Sequence, residues 1–296
     1  MRLFFLGLCA AGMLCAQGRQ VVITVDDLPR GGDAKPEVSS IRAMTSKLVA
    51  ALRGTQAIGF VNPGRAAATA LGEDGLQSIL KVWLDGGLEL GNHSYSHLNI
   101  NKASLAEYTA DILKAEPALR QVLGKNAVYY RHPFLFTGKD DTTKRELQRF
   151  LDEHHYTVAP VTLDNADYIF AAVYTKTDDP TKLRAEYVRY MESIFAFFEQ
   201  RSVEVTGREF PQILLLHANQ LNADTMPELL SMMKRRGYKF VPLDTALRDK
   251  TYSLPNDYVG TWGISWIHRW AKTKGMADKW EPEAPDSVMQ AYKKIQ

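Results

Sequence analysis

The feature that most restricts this chain is a regular alternation of short β-rich runs with longer amphipathic stretches. The β-rich runs are expected at residues 21–25, 58–62, 88–92, 128–131, 156–162, 213–217 and 238–242. Apolar residues at helical spacing fill the gaps, over 40–53, 73–84, 105–123, 143–155, 182–199 and 225–236. Asp224 is expected to cap the last of these helices and Gly237 to stop it. Strand followed by helix, repeated about seven times, requires parallel strands, because a parallel pair needs a long crossover rather than a hairpin. The expected class is therefore α/β, either an open doubly wound sheet or a closed or nearly closed (β/α) barrel. Periodicity alone does not separate the two.

The ends of the chain follow other rules. Met1-Arg2 precedes an apolar run over residues 3–16 that is too short to span a bilayer, and Ala16-Gln17-Gly18 fits a small-x-small cleavage site. Residues 1–18 are thus expected to be a signal peptide. A lipid anchor on Cys15, disfavoured by the bulky Leu14, and a membrane anchor left uncleaved are the competing readings. Cys9 and Cys15 are the only cysteines of the 296 residues, so the chain after cleavage holds no disulfide and relies on its core. The main domain is expected over 19–248. Beyond it, 249–296 is an aromatic-rich extension with Tyr252, Tyr258, Trp262, Trp266, Trp270 and Trp280. It either wraps and packs on the barrel or forms a lid whose rings stack on sugars. With 36 basic against 34 acidic residues and no basic tract, the chain lacks the electrostatic footprint of a nucleic-acid binder. No second apolar stretch suits a membrane span. The expectation is an exported protein acting in the periplasm or outside the cell. Oligomeric state is not encoded legibly.

The informative polar residues fall at strand ends. Asp26 and Asp27 follow the first strand, His93 and His97 the third, and Arg131 ends the fourth. Asp164 and Asp167 follow the fifth, and His217 ends the sixth. In parallel α/β architectures the C-terminal strand ends form the ligand-binding face, so these groups are expected to converge. His93 and His97 stand at i and i+4; if the segment is a helical turn, both imidazoles project from one face, as a metal requires. The glutamate of a zincin-type HExxH is missing, so a base must come from elsewhere. Asp26-Asp27 supplies candidates, since successive residues leaving a strand point apart, one toward a metal and one toward substrate. An Asp-His-His set with open positions suits a catalytic divalent ion, Zn²⁺ first, with Co²⁺, Ni²⁺ or Mn²⁺ as the others. Arg131 can hold a carboxylate ionised, and His217 as a general acid needs a carboxylate partner.

The segments TVDDLP, HSYSH, RHPF, DNADY and LLLH, in this order, resemble the five motifs of polysaccharide deacetylases, carbohydrate esterase family 4 with its NodB-homology domain. The likeness spans about residues 21–248. It implies a distorted (β/α) barrel of about seven parallel strands, to which the extension is added. It also implies roles: Asp27, His93 and His97 holding the metal, Asp26 as general base and Arg131 tuning it. The backbone N–H of Phe134 would serve an oxyanion hole, His217 would be the general acid, and Asp164 or Asp167 would support it. Leu215 and Tyr168 would line the acetyl pocket. Leu28 stands in place of the usual glycine, Val25 of an aromatic and Tyr168 of a tryptophan, while His132 and the Phe134-Leu135-Phe136 run alter the third motif. These changes lie where substrate is met. The expected activity is metal-dependent removal of N- or O-linked acetyl from a carbohydrate. The alternatives are a small-molecule amidase or esterase of the same fold, acting on a small acylated substrate, and a non-catalytic glycan-binding protein.

Overall fold

The computed structural model describes residues 18–32 and 37–296. The expected signal peptide and both cysteines lie outside the described residues, apart from Gly18. Among the described residues there are seven strands: β1 Gln20–Leu28, β2 Ile58–Val61, β3 Glu89–Asn92, β4 Tyr129–Tyr130, β5 Thr157–Val158, β6 Gln212–His217 and β7 Lys239–Phe240. The first helices are α1 Val38–Leu52, α2 Pro63–Ala67, α3 Gly72–Asp85, α4 Leu105–Leu123 and α5 Asp141–Glu153. They are followed by α6 Asp167–Tyr174, α7 Pro180–Thr206, α8 Gln220–Arg235, α9 Leu243–Leu247, α10 Trp266–Thr273 and α11 Asp286–Lys293.

Every strand pairing is parallel, in the order β5-β4-β3-β2-β1-β6, with β7 on the start of β1. β1 is central: Gln20 and Val21 pair with β7, Val21 to Asp26 with β6, and Thr24 to Leu28 with β2. All of β1 after Gln20 is buried, which is why it reads as the unbroken run Val-Val-Ile-Thr-Val rather than an alternation. The sheet curls until its edges meet: Leu163, just past β5, bridges Leu214 of β6, and the Leu215 N–H donates to Leu163 O at 3.1 Å. This is the α/β barrel-like curl expected from the sequence.

Several elements differ from expectation. β4, β5 and β7 are two residues each, because the chain leaves the sheet early to form loops at the strand ends. α6, with the sequence DYIFAAVY, is nearly all apolar and so carries no amphipathic period to announce it. α8 begins before residue 225, capped by Asn219, whose side chain accepts the Asn222 N–H at 2.8 Å. Asp224 is therefore inside the helix, bonded to Lys47 and to the Tyr174 hydroxyl. Gly237 does follow the helix in a left-handed conformation, φ 84°. In 249–296, Trp266 and Trp270 are buried; the Trp266 N–H donates to Val161 O at 2.8 Å, and Ser265 Oγ to Thr162 O at 2.8 Å. Trp262 and Trp280 instead remain 76% and 52% exposed. Among the described residues no helix is long and apolar enough to cross a membrane.

Candidate active site

The strand ends open onto one cleft of about 1210 Å³, lined by Asp26, Asp27, His93, His97, Phe134, Asp164, Tyr168, Leu215 and His217. Arg131 and Asp167 stand behind that lining, fully buried. The chain reaches this arrangement through unusual backbone. Asp27 (φ 68°), Ser94 (63°), His97 (57°), Phe134 (56°) and Leu135 (56°) all occupy the left-handed region. Each costs about 1–3 kcal/mol for a non-glycine residue and persists only where the surroundings fix it. Such strain collects where side chains must be aimed.

The two histidines converge without the helical turn that their i, i+4 spacing allowed. The 93–97 segment is a looped turn with left-handed residues at Ser94 and His97, and it brings the imidazoles to 4.8 Å between ring centroids, nearly edge to face. Neighbours fix the loop. Asn62 Nδ2 donates to the carbonyls of His93 and Ser94, Asn92 Oδ1 accepts the Ser94 N–H at 2.8 Å, and Ser94 Oγ accepts the His97 N–H at 3.1 Å. His93 Nδ1 donates to Arg131 O at 2.8 Å; a carbonyl only accepts, so the proton sits on Nδ1 and Nε2 keeps its lone pair.

That lone pair faces carboxylate oxygen. His93 Nε2 and His97 Nε2 are each 3.7 Å from Asp27 Oδ1. A tetrahedral cation with bonds of about 2.1 Å demands ligand separations of roughly 3.4 Å. Asp27 Oδ1 is buried without a hydrogen-bond partner, while Oδ2 accepts from Arg65 at 2.7 Å. Burial alone would raise the Asp27 carboxyl, but Arg65 and the histidines hold it at about 2. Burial pushes both His93 and His97 below the ordinary imidazole range. A carboxylate kept ionised beside two imidazoles kept neutral could hold a metal ion, and the orphaned Oδ1 has room for a cation between them.

Asp26 is built differently. Burial pushes it up to about 6, opposed by Arg131, whose Nη1 lies 3.4 Å from Asp26 Oδ2. Arg131 is anchored by Thr24 Oγ1 at 3.0 Å and packs over the Phe60 ring. Asp26 Oδ1 is buried and unpartnered.

Opposite stands His217, whose Nδ1 bonds Asp167 Oδ1 at 2.7 Å. Asp167 Oδ2 also accepts the His217 N–H at 2.8 Å and Asn222 Nδ2 at 2.7 Å. Burial would lower the His217 ring; Asp167 more than offsets it and raises it to about 10. Asp167, not Asp164, is therefore the carboxylate in contact with His217. Asp164 is pushed up to about 7 by burial and by Glu281 of the extension. Tyr168 lies beside His217, ring centroids 6.5 Å apart, and the Phe134 ring meets His97 at 4.3 Å.

Sequence reasoning missed Arg65, Asn62 and Asn222. Asn62 directly follows β2, the same strand-end signal that found the others, whereas Arg65 lies in the short helix α2 and carries no such signal. Asn222 lies one turn into α8, where nothing in the sequence separates it from a surface residue.

The polysaccharide deacetylase family model matches residues 14–154. A peptidoglycan-N-acetylglucosamine deacetylase of Bacillus cereus is 23% identical over 187 residues, 60% of this chain and 57% of that protein. The chain thus spans little more than half the length of that curated relative. Among solved structures, peptidoglycan deacetylase PdaC of Bacillus subtilis matches with a TM-score of 0.51 at 18% identity, covering 80% of this chain and 94% of that one. A carbohydrate esterase family 4 pseudoenzyme of Bacillus anthracis matches with a TM-score of 0.51 at 14% identity, covering 78% and 66%. At these identities the two structures speak for the fold. With the family match, they bear out the likeness to polysaccharide deacetylases drawn from the sequence.

Proposed function

We propose that this chain, alike in motifs and fold to the polysaccharide deacetylases, is a metal-dependent hydrolase that removes acetyl groups from a carbohydrate. The observation that carries the reading is an Asp27-His93-His97 set, its first two members buried and His97 partly so, with an orphaned carboxylate oxygen, flanked in one cleft by the Asp26–Arg131 and His217–Asp167 pairs. The relative from Bacillus cereus is named for N-acetylglucosamine in peptidoglycan, which makes an N-acetylated glycan the first substrate to try. The leader-like residues 1–18 support action outside the cytoplasm.

Asp27, His93 and His97 would hold the cation, Zn²⁺ by the chemistry of one carboxylate and two imidazoles. When bound, it supplies Lewis acidity toward the acyl carbonyl and toward water. Asp26 takes the proton of the attacking water at Oδ1, the oxygen that no other donor occupies. Arg131 keeps Asp26 ionised. As water adds, charge develops on the carbonyl oxygen, and the Phe134 N–H donates to it; such a donor is worth about 3–4 kcal/mol. His217 delivers a proton from Nε2 to the departing amine or alcohol, its Nδ1 being committed to Asp167. The C–N or C–O bond breaks, and acetate leaves. Leu215 and Tyr168 line the space for the acetyl methyl.

The test is acetate release by the purified protein, cation-loaded and chelator-stripped, over N-acetylated and O-acetylated glycans and small aryl esters. Cation-dependent acetate from a glycan supports the proposal. Turnover of aryl esters alone would move the function to a small-molecule hydrolase, and glycan binding without any acetate to a binding protein.

A further inference from the structure

The aromatic extension contributes more than a wall. We infer that Arg269, on α10, is a positioning residue that holds the Phe134–Leu135 turn in register for its N–H to meet the oxyanion. This rests on the reading of Phe134 as that donor. Arg269 is fully buried, and its hydrogen bonds go to two carbonyls and a hydroxyl rather than to a carboxylate, an uncommon state for an interior cation. Its donors are spent otherwise. Nη2 donates to Leu135 O at 2.5 Å, Nη1 to Thr137 Oγ1 at 2.9 Å and Nε to Ile264 O at 3.1 Å. Its faces meet Trp266 at 4.0 Å and Tyr258 at 5.2 Å, both from the extension.

The turn needs such a hold. Phe134 and Leu135 are consecutive left-handed residues at φ 56°, each unfavourable by about 1–3 kcal/mol. Two local bonds, Leu135 N–H to His132 O and Phe136 N–H to Pro133 O, both at 3.0 Å, close the turn on its own side. On the other side, Leu135 O accepts from Arg269. The extension also lies flush on the turn: a Cβ added at Gly263 would stand 1.8 Å from Phe134 O. Asn101 Nδ2 then ties the same loop, at Thr261 O (3.1 Å), to the segment after His97. A neutral side chain would fill the space, but only the planar guanidinium fork reaches Leu135 O and Thr137 together while bracing against Ile264.

The experiment uses the full-length, Zn²⁺-loaded protein and its Arg269→Met, Arg269→Lys and Gly263→Ala variants. Amide hydrogen exchange is read over residues 132–137 and over β1, with kcat and KM on an N-acetylglucosamine oligomer. Expected for Arg269→Met is exchange at least about tenfold faster at 132–137 and unchanged in β1. With it, kcat falls roughly 10- to 100-fold at nearly constant KM, less than the 10²–10³ for outright loss of a donor. Arg269→Lys falls between, and Gly263→Ala shows the same pattern; Arg269→Lys carries the comparison if the Met variant does not fold. Unchanged exchange at 132–137 would overturn the clamp whatever the activity. Faster exchange with undiminished kcat would overturn the positioning role by removing Phe134 from the oxyanion hole. A wild type silent on every glycan would instead sink the proposed activity, leaving exchange to decide the clamp.

Discussion

Replacing Asp167 with Asn tests the general acid most directly. In the folded protein Asp167 holds the His217 ring at about 10, against 6.5 for a free imidazole, a preference for imidazolium on the order of 5 kcal/mol at about 1.4 kcal/mol per pH unit. Burial opposes it, while Asp27 and Asp26 support the charged ring less than Asp167 does, so with the Asp167 carboxylate gone the protonation midpoint is expected to fall toward the 6.5 of a free imidazole. At a midpoint of 6.5 the ring is about 3% protonated at pH 8 where the wild type is almost fully so, and loss of the acid form alone lowers kcat by up to about 30-fold. Asparagine also has one acceptor where Asp167 serves His217 Nδ1, the His217 N–H and Asn222, so the variant loses roughly 1–3 kcal/mol of stability. The pH dependence of stability follows the same linkage. The raised His217 pKa contributes stability that is complete below 6.5 and lost as pH rises through about 10. Urea unfolding of the wild type should therefore weaken over that interval, and that of the variant should not. Nitrogen NMR of the ring in chelator-treated protein reads the midpoint, and the pH profile of kcat reads the consequence. An alkaline limb unchanged in the variant would refute the assignment of His217.

Four further outcomes follow from the same geometry. Asp26→Asn should abolish turnover while leaving cation binding by calorimetry intact, because Asp27 and the histidines are untouched; an active variant removes Asp26 as the base. Arg131→Met takes away the charge that opposes burial at Asp26, so the acid limb of kcat/KM, expected near or below pH 6, should move upward; a downward move contradicts the pairing. His93→Ala should cost at least tenfold in cation affinity, read by competition with a chelator, because Nε2 is its oriented lone pair. Trp262→Ala should leave the melting temperature within a degree or two, the ring being 76% exposed, yet raise KM for glycans several-fold. An unchanged KM would leave the ring no part in binding.

The strand-and-helix alternation, the parallel sheet and the convergence of Asp26, Asp27, His93, His97, Arg131 and His217 were legible in the sequence, because each depends on period and on position at a strand end. Parallel crossovers gather such ends on one face whatever the loops do. The choice between Asp164 and Asp167 was not legible: it turns on α6, whose all-apolar sequence gives no period and whose first residue, Asp167, is thereby aimed at His217. The histidines met through left-handed residues in a looped turn, which an i, i+4 spacing does not reveal. Arg65 and Arg269 were invisible for a related reason. Each is an ordinary basic residue on a short helix until folding brings it across 38 residues to Asp27, or 134 to Leu135. Local sequence fixes backbone period and the chemistry available, but the partner of a buried charge is decided by long-range packing, and that only the tertiary structure determines.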